Sequence, residues 1–244
     1  MSNEYGEGTK GVGPIPIPQG VYEMSETAQG TLGTRVAFAD GRVFRYAKAG
    51  ATGLAPGKLV KMGLIADQTN LAVEAAVGVG GYEVTLTSTY AGTTWAEGYL
   101  QINDAAGEGI QYKIEKGAAN SSTATSTDLT LYDPIATALT TSSQASIIHN
   151  PYEQLEISSA ITDVLVGVPP ITVTAEYYFW VQTWGVGCVL SEGITPAGQV
   201  VEVAIGDGAA GTTSNNADTA LGLGVQMNVG VNTEYKSVWL MFAP

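Results

Sequence analysis

The single histidine and the single cysteine are the residues from which nucleophilic catalysis would normally be built in this chain. A Ser–His or Cys–His unit needs a histidine held by the fold beside its nucleophile. His149 stands in SIIHNPYE, a pattern typical of a strand that ends in a turn, and Cys188 stands in GVGCVL, where a small buried apolar residue is expected. The 23 acidic residues show no spacing that pairs two carboxylates for hydrolysis. We therefore predict no catalytic residues and no enzymatic activity.

The sequence motifs that could indicate a cofactor or metal site are incomplete. The segment GEGTKG at 6–11 matches G-x-G-x-x-G, but VGPIPIP follows it, where a phosphate-binding loop needs a helix N-terminus. The acidic turns NDAAGEGIQ and GDGAAGTTSNNAD lack the spacing of a calcium loop. One cysteine also excludes the common thiolate zinc sites within one chain. The sequence predicts no cofactor and no metal.

Composition and charge narrow the class of protein. The chain has 244 residues, of which 45% are hydrophobic, 14% are charged and 31 are glycine, with a formal net charge of −13. Few charges with many β-branched residues and glycines are typical of an all-β protein. The negative charge opposes binding to nucleic acid or to an anionic membrane, so we expect neither as a partner.

Apolar segments give no sign of export or of a membrane span. The start, MSNEYGEG, has no apolar region of the kind found in secretory signals. The longest apolar stretch, near 164–175, is interrupted by Pro169 and Pro170 and is too short for a span. We expect synthesis and folding in a reducing cytoplasm.

Alternating residues and turn signals predict antiparallel β-sandwich or barrel-like units with little helix. Asp40-Gly41 between two alternating runs predicts a type I′ hairpin, and a second hairpin is expected around a loop at 103–109. The predicted organisation is an extended N-terminal arm at 1–33, followed by three β regions. These regions are 34–92, 93–165 and 166–244.

The stretch YYFWVQTWGVGCVL carries aromatic residues on both alternating faces. Tyr177 and Phe179 fall on one face, and Tyr178, Trp180 and Trp184 fall on the other. Such a strand is covered on both sides, by a core on one and by another layer or subunit on the other. We interpret it as a wall of the fold, not as a catalytic pocket.

Two sets of residues are candidates for contact with a partner. The first is Pro14, Ile15, Pro16 and Ile17 in PIPIP, which favours an extended or polyproline chain. This segment is either a disordered tail or an arm that becomes ordered on a neighbour, with both isoleucines as its apolar contacts. The second is Trp95 in TTWAEG, whose ring could stack on a sugar.

Four segments together resemble a group of structural proteins from tailed bacteriophage particles, notably of phages of aquatic bacteria. They are GRVFRYAKAGATGLAPGKLV, GEGIQYKI, LYDPIATALTTSSQASIIHNPY and VTAEYYFWVQTWGVGCVL. The resemblance implies a non-enzymatic virion protein made in the host cytoplasm, most specifically a cement protein that decorates the outside of a capsid. It implies the major capsid protein as partner, and brings no catalytic motif.

A homo-oligomer is expected as well, because it would protect strand edges, and a trimer suits the three-fold positions of an icosahedral shell. Two other functions stay open. One is a carbohydrate- or receptor-binding module of a phage tail or fibre, for which Trp95 is the best stacking residue. The other is an enzyme such as a polysaccharide depolymerase, which has only the supply of carboxylates in its favour.

Overall fold

The computed structural model describes residues 17–63, 68–87, 95–119, 126–160, 162–203, 207–211 and 222–244. The regular elements in these ranges are β-strands, and every pair of neighbouring strands is antiparallel. The predicted all-β antiparallel class is thereby confirmed. Within the described ranges, no helix has the length and hydropathy needed to cross a membrane.

The strands, in chain order, are β1 Arg35–Ala37, β2 Val43–Lys48, β3 Val60–Lys61, β4 Gln68–Ala72, β5 Glu83–Thr87, β6 Tyr99–Asp104, β7 Gln111–Ala119, β8 Ser126–Leu131, β9 Gln144–Ile148, β10 Glu156–Ile157, β11 Leu165–Gly167, β12 Tyr178–Leu190, β13 Val200–Val203, β14 Ala210–Gly211, β15 Gly224–Gln226 and β16 Tyr235–Met241.

The chain forms two compact units that differ from the predicted regions. Unit 1 comprises Met1–Gly63 with Tyr152–Pro244, and unit 2 comprises Leu64–Pro151. The predicted boundary at 165/166 falls inside β11, and the one at 92/93 lies outside the described residues. The observed boundaries carry no glycine- or proline-rich linker that a sequence pattern would reveal.

Unit 2 is an insertion into unit 1 with closely spaced ends. In unit 1, the strands that flank the insertion pair with each other, so that Lys61 in β3 lies opposite Glu156 in β10. In unit 2, the first and last strands also pair, with Leu71 in β4 opposite Ala145 in β9. Both units therefore bring the two crossing points together, which is the arrangement in which domain insertions are tolerated.

Unit 2 is a single curled sheet with the strand order β4-β9-β6-β7-β8-β5. Its edge strands meet through the bridge between Val73 and Leu86, so the sheet wraps around its own core. Leu100 and Ile102, which alternation placed on one face, both point into that core, and the hairpin predicted around 103–109 joins β6 to β7. The buried face of each strand supplies the core, as alternation requires.

Unit 1 contains two sheets. A seven-stranded sheet of order β1-β2-β12-β16-β15-β13-β14 packs against a three-stranded sheet of order β10-β3-β11. Phe179 and Val181 of β12 pack with Val60 and Val166 of the small sheet. Farther along β12, the core includes Val189. Burial of these apolar faces against each other is the main driving force for this packing.

The opposite face of the seven-stranded sheet is covered by the beginning of the described chain. Ile17 and Val21 pack with Phe44, Tyr46 and Trp180 on this side. The predicted coverage of both faces of the Tyr177–Trp184 strand is thus confirmed for Phe179–Thr183, which are all buried. The second layer is part of the same chain. Residues 17–33 are therefore a folded part of unit 1, which corrects the prediction that the arm extends through residue 33.

The hairpin at Asp40-Gly41 forms, but with a different turn. Gly41 has a φ of 87°, whereas Asp40 does not join it at positive φ as a type I′ turn requires. The N–H of Gly41 donates to the carbonyl of Phe38 at 3.0 Å, and the N–H of Phe38 donates to that of Arg42 at 2.8 Å. This is a three-residue loop with a glycine bulge. Asp40 instead accepts the N–H of Arg42 through its carboxylate at 3.0 Å.

The coverage of β12 predicts a large loss on truncation. Trp180 and Phe179 are fully buried on opposite faces, so changing either to Ala should lower the free energy of unfolding by about 3–5 kcal/mol. Denaturant unfolding measures this, with Trp239→Ala, at a ring that is 37% exposed, as the control. A loss below about 1 kcal/mol at either buried position would contradict two-sided packing.

The insertion topology predicts that the two units fold separately. We expect a chain with residues 64–151 replaced by a short Gly-Ser linker to unfold cooperatively, because unit 1 keeps all its sheets. We expect the isolated segment 64–151 to bury its single tryptophan, Trp95, which is 0% exposed in the structure. Circular dichroism and tryptophan fluorescence test both. A segment with red-shifted, solvent-exposed Trp95 emission would show that unit 2 needs its host.

Candidate functional site

One part of the seven-stranded sheet has no covering layer within the described chain. Residues 17–33 cover β1, β2 and the first half of β12, but not the strands that continue the sheet on the far side. Four apolar side chains face outward there in one register, and we call them the apolar row. They are Val186, Trp239, Val225 and Val200, in β12, β16, β15 and β13 respectively.

Three of the four side chains in the apolar row are exposed. Trp239, Val186 and Val200 are 37%, 38% and 49% exposed, and Val225 is half-buried between them. Met241 and Met227 extend the same patch on neighbouring rows and are exposed as well. Contiguous exposed apolar side chains across four strands mark a contact site on a folded protein.

Gly185 lies in β12 where the β1–β2 hairpin comes close to the strand. This residue has a φ of 82°, a region that favours glycine, and a Cβ here would lie 2.8 Å from the carbonyl oxygen of Gly41. The close approach seats the tip of the β1–β2 hairpin against β12. Arg42 at that tip therefore lies beside β12.

A cleft of about 490 Å3 adjoins the apolar row. Its walls carry two tyrosines, three prolines, one arginine and the only cysteine. The lining residues are Tyr22, Arg42, Pro56, Gly57, Val168, Pro169, Pro170, Gln182, Val186, Gly187, Cys188, Tyr235 and Ser237. Val186 belongs to both features, so cleft and row form one continuous surface of unit 1. Cys188, predicted to be buried, is exposed here.

The positive charge of the cleft is already neutralised. Arg42 Nε lies 2.7 Å from Oδ2 of Asp40, and its Nη1 donates to the hydroxyl of Tyr22 at 3.3 Å. Burial works to lower the pKa of Arg42, but these two partners outweigh it and raise the pKa. Arg42 also lies 5.0 Å from the ring centroid of Phe38. The cleft thus offers aromatic and proline surface, not a free cation for a phosphate.

The partner-contact residues named from the sequence fall in three places. Pro14, Ile15 and Pro16 lie outside the described residues. Ile17 is 3% exposed and packs in the core of unit 1. Trp95 is fully buried in the core of unit 2, which leaves no face for a sugar and corrects its use as a stacking platform.

The two residues considered for catalysis lie in different units. His149 is a buried residue directly after β9 in unit 2, at the predicted strand end, whereas Cys188 belongs to unit 1. Among the described residues, no three His, Cys, Asp or Glu side chains gather as a metal-binding set.

Two hydrogen-bonded clusters of titratable groups hold the fold locally. In unit 2 the Tyr132 hydroxyl donates to Oε1 of Glu97, and this bond raises the pKa of Tyr132 to about 12. In unit 1 Asp163 accepts hydrogen bonds from the backbone N–H groups of Ser159 and Ala160 and from the Ser158 hydroxyl. Its other carboxylate oxygen accepts from Lys61 Nζ at 3.3 Å. This carboxylate closes the loop between β10 and β11.

The apolar row was not predicted from the sequence, although β16 carries a pattern that indicates it. In YKSVWLM of β16, Val238 and Leu240 point into the core while Trp239 and Met241 point outward. Apolar residues on both alternating faces indicate a contact on each face of β16, as they do for β12.

No protein-family model, curated protein or solved structure matches the chain significantly.

The Asp163 cluster predicts a pH dependence of stability. Burial works to raise the pKa of Asp163, but the hydrogen bonds from Ser159, Ala160, Ser158 and Lys61 outweigh it and lower the pKa. A lowered pKa contributes stability above the unfolded value of about 3.9, and this is lost as pH falls through the folded value. Asp163→Asn should therefore cost about 1–3 kcal/mol at pH 7 and flatten the loss of stability below about pH 4.

Unfolding followed by the tryptophan fluorescence of unit 1 measures this effect. Glu192→Gln, at an exposed carboxylate of the same unit, is the control and should change neither quantity. Equal pH profiles for Asp163→Asn and the unaltered chain would show that this carboxylate does not stabilise the folded state.

Proposed function

We propose that this chain is a non-enzymatic structural protein of a virus particle, which attaches to the outside of a tailed-phage capsid through the apolar row. The observation that carries the proposal is the outward-facing register of Val186, Trp239, Val225 and Val200. The sequence resemblance to tailed-phage virion proteins supplies the more specific role of capsid decoration. In this proposal the partner is the major capsid protein.

The chemistry of the row suits a lasting contact between proteins. Tryptophan is among the residues that dominate binding energy when they are buried at the centre of an interface. Trp239 lies between Val186 and Val225 in the cross-strand register, so an approaching surface would bury all three together.

The net charge is compatible with this mode of attachment. At −13 the chain repels its own copies in solution, which opposes aggregation through the exposed row. An apolar contact on a shell needs no positive charge on this chain. A homo-oligomer, with a trimer favoured for the three-fold positions of a shell, remains part of the proposal.

A carbohydrate- or receptor-binding module of a phage tail or fibre is the second candidate. The favouring observation is the pair of exposed tyrosines, Tyr22 and Tyr235, on the walls of the cleft. Sugars stack on such rings, and Gln182 and Ser237 add polar groups nearby. The copy number per particle separates the candidates, since decoration needs hundreds of copies and a tail or fibre only a handful.

Quantitative mass spectrometry of purified particles measures the ratio of this chain to the major capsid protein. A ratio near one chain per capsid subunit, or a fixed simple fraction of it, is expected for decoration. A handful of chains per particle would overturn the capsid assignment and favour the tail module. Absence of the chain from purified particles would overturn both.

The role of the apolar row is tested on shells that lack this protein. Trp239→Ala should weaken binding to such shells by about 2 kcal/mol or more, because a central aromatic contact is lost. Tyr82→Ala, at a similarly exposed aromatic ring in unit 2, is the matched control and should bind like the unaltered chain. Unchanged shell binding by Trp239→Ala would place the attachment site elsewhere.

A further inference from the structure

The cleft beside the apolar row has the chemistry of a site for a proline-rich segment. Such segments dock as polyproline helices on grooves lined by aromatic residues, because their conformation is preformed and little entropy is lost on binding. Tyr22 and Tyr235 supply aromatic faces, and Pro56, Pro169 and Pro170 supply rigid apolar walls. The volume of about 490 Å3 is within the range of ligand-binding clefts.

Both tyrosine rings are held in place before any ligand arrives. A Cβ on Gly57 would lie 2.6 Å from two ring atoms of Tyr235, so this glycine, with a φ of 70°, allows the ring to pack on the backbone. Tyr22 accepts a hydrogen bond from Arg42, which is in turn fixed by Asp40. Preorganised walls reduce the entropy lost on binding.

The chain itself carries a segment of the required type. Prolines stand at 14, 16 and 18, and residues that precede proline are restricted to extended conformations. The described chain begins at Ile17, which is anchored in the core of unit 1 with 3% exposure. The 16 residues before it lie outside the described ranges and would span about 50 Å as a polyproline or extended chain.

Charge and stiffness favour a second copy as the source of that segment. Residues 1–16 contain Glu4, Glu7 and Lys10, so their side chains account for only one of the 13 net negative charges. A segment of this kind can approach a strongly acidic neighbour at little electrostatic cost, while the folded bodies remain apart. The residues before Pro16 and Pro18 favour extended conformations, which direct the segment away from the point where Ile17 is anchored.

We propose that the cleft of unit 1 binds the Pro14-Ile15-Pro16 segment of a second copy of this chain. The contact links copies through an arm, and each copy offers one arm and one cleft. It goes beyond attachment to a capsid and does not depend on it, since it requires only the purified protein.

Cys188 provides a direct readout of the cleft. It is the only cysteine of the chain, it is exposed, and it lines the cleft. Its rate of reaction with a thiol reagent such as Ellman's reagent therefore reports whether the cleft is open. In the full chain this rate should fall as protein concentration rises, by about fivefold at ten times the half-saturating concentration, because each copy supplies one arm and one cleft.

Variants of the full-length chain show which segment occupies the cleft. The double change Pro14→Gly and Pro16→Gly should abolish the concentration dependence, because the preformed conformation is lost. Tyr235→Ala should weaken it, with Tyr82→Ala as control, since Tyr82 is 48% and Tyr235 47% exposed. Near-ultraviolet circular dichroism checks that each variant keeps its fold. A synthetic peptide of residues 1–18 should protect Cys188 in the double variant, and the same peptide with glycine at 14 and 16 should not.

Three results would overturn the proposal. Slow reaction at every concentration, accelerated by the proline changes, would mean that each chain fills its own cleft. Concentration-dependent protection that survives the proline changes would mean that another surface of the second copy covers the thiol. A fast rate at all concentrations, with no protection by the peptide, would mean that this segment does not bind the cleft. The shell-binding test of Trp239→Ala does not depend on any of these outcomes.

Discussion

The organisation of unit 1 depends on one buried hydrogen-bond network around Gln19. The indole N–H of Trp180 donates to the Gln19 carbonyl at 2.8 Å, and the Tyr46 hydroxyl donates to the Gln19 side-chain oxygen at 2.7 Å. The side-chain amide of Gln19 donates to the carbonyls of Glu23 and Tyr178. A satisfied buried network rigidifies its surroundings and is expensive to break in part. It fixes the first described residues across β2 and β12.

Much of this fold follows from local rules. Asp40-Gly41 and the loop at 103–109 join antiparallel strands as predicted, because turn residues and period-two alternation are properties of a few consecutive residues. The coverage of both faces of β12 could also be predicted, because leaving either Phe179 or Trp180 exposed would forgo the free energy gained by burying a large apolar ring. What alternation does not reveal is the identity of the covering layer. Ile17 reads as part of a proline-rich arm, yet it packs with Trp180, more than 160 positions later.

The same limit explains the misplaced site residues and boundaries. Trp95 follows a Thr-Thr pair and precedes Ala-Glu-Gly, a setting that indicates a surface loop, but the curled sheet of unit 2 closes around it. The unit boundaries depend on β3 pairing with β10 across a whole inserted unit. Pairing between strands so far apart is decided by the global packing of unit 1 and leaves no short-range mark. The apolar row likewise exists only once four strands from distant parts of the chain are aligned.

The net charge and the apolar row are best understood together. An exposed row that includes Trp239 is a liability for an unattached protein, because any complementary apolar surface would bury it. A charge of −13 on the whole chain opposes that encounter between identical copies at long range but is screened beyond about 8–10 Å at physiological ionic strength. The net charge thus opposes association between copies, while the apolar row stays open to a matching surface. In the proposed capsid role, contact through the row and repulsion elsewhere would act together.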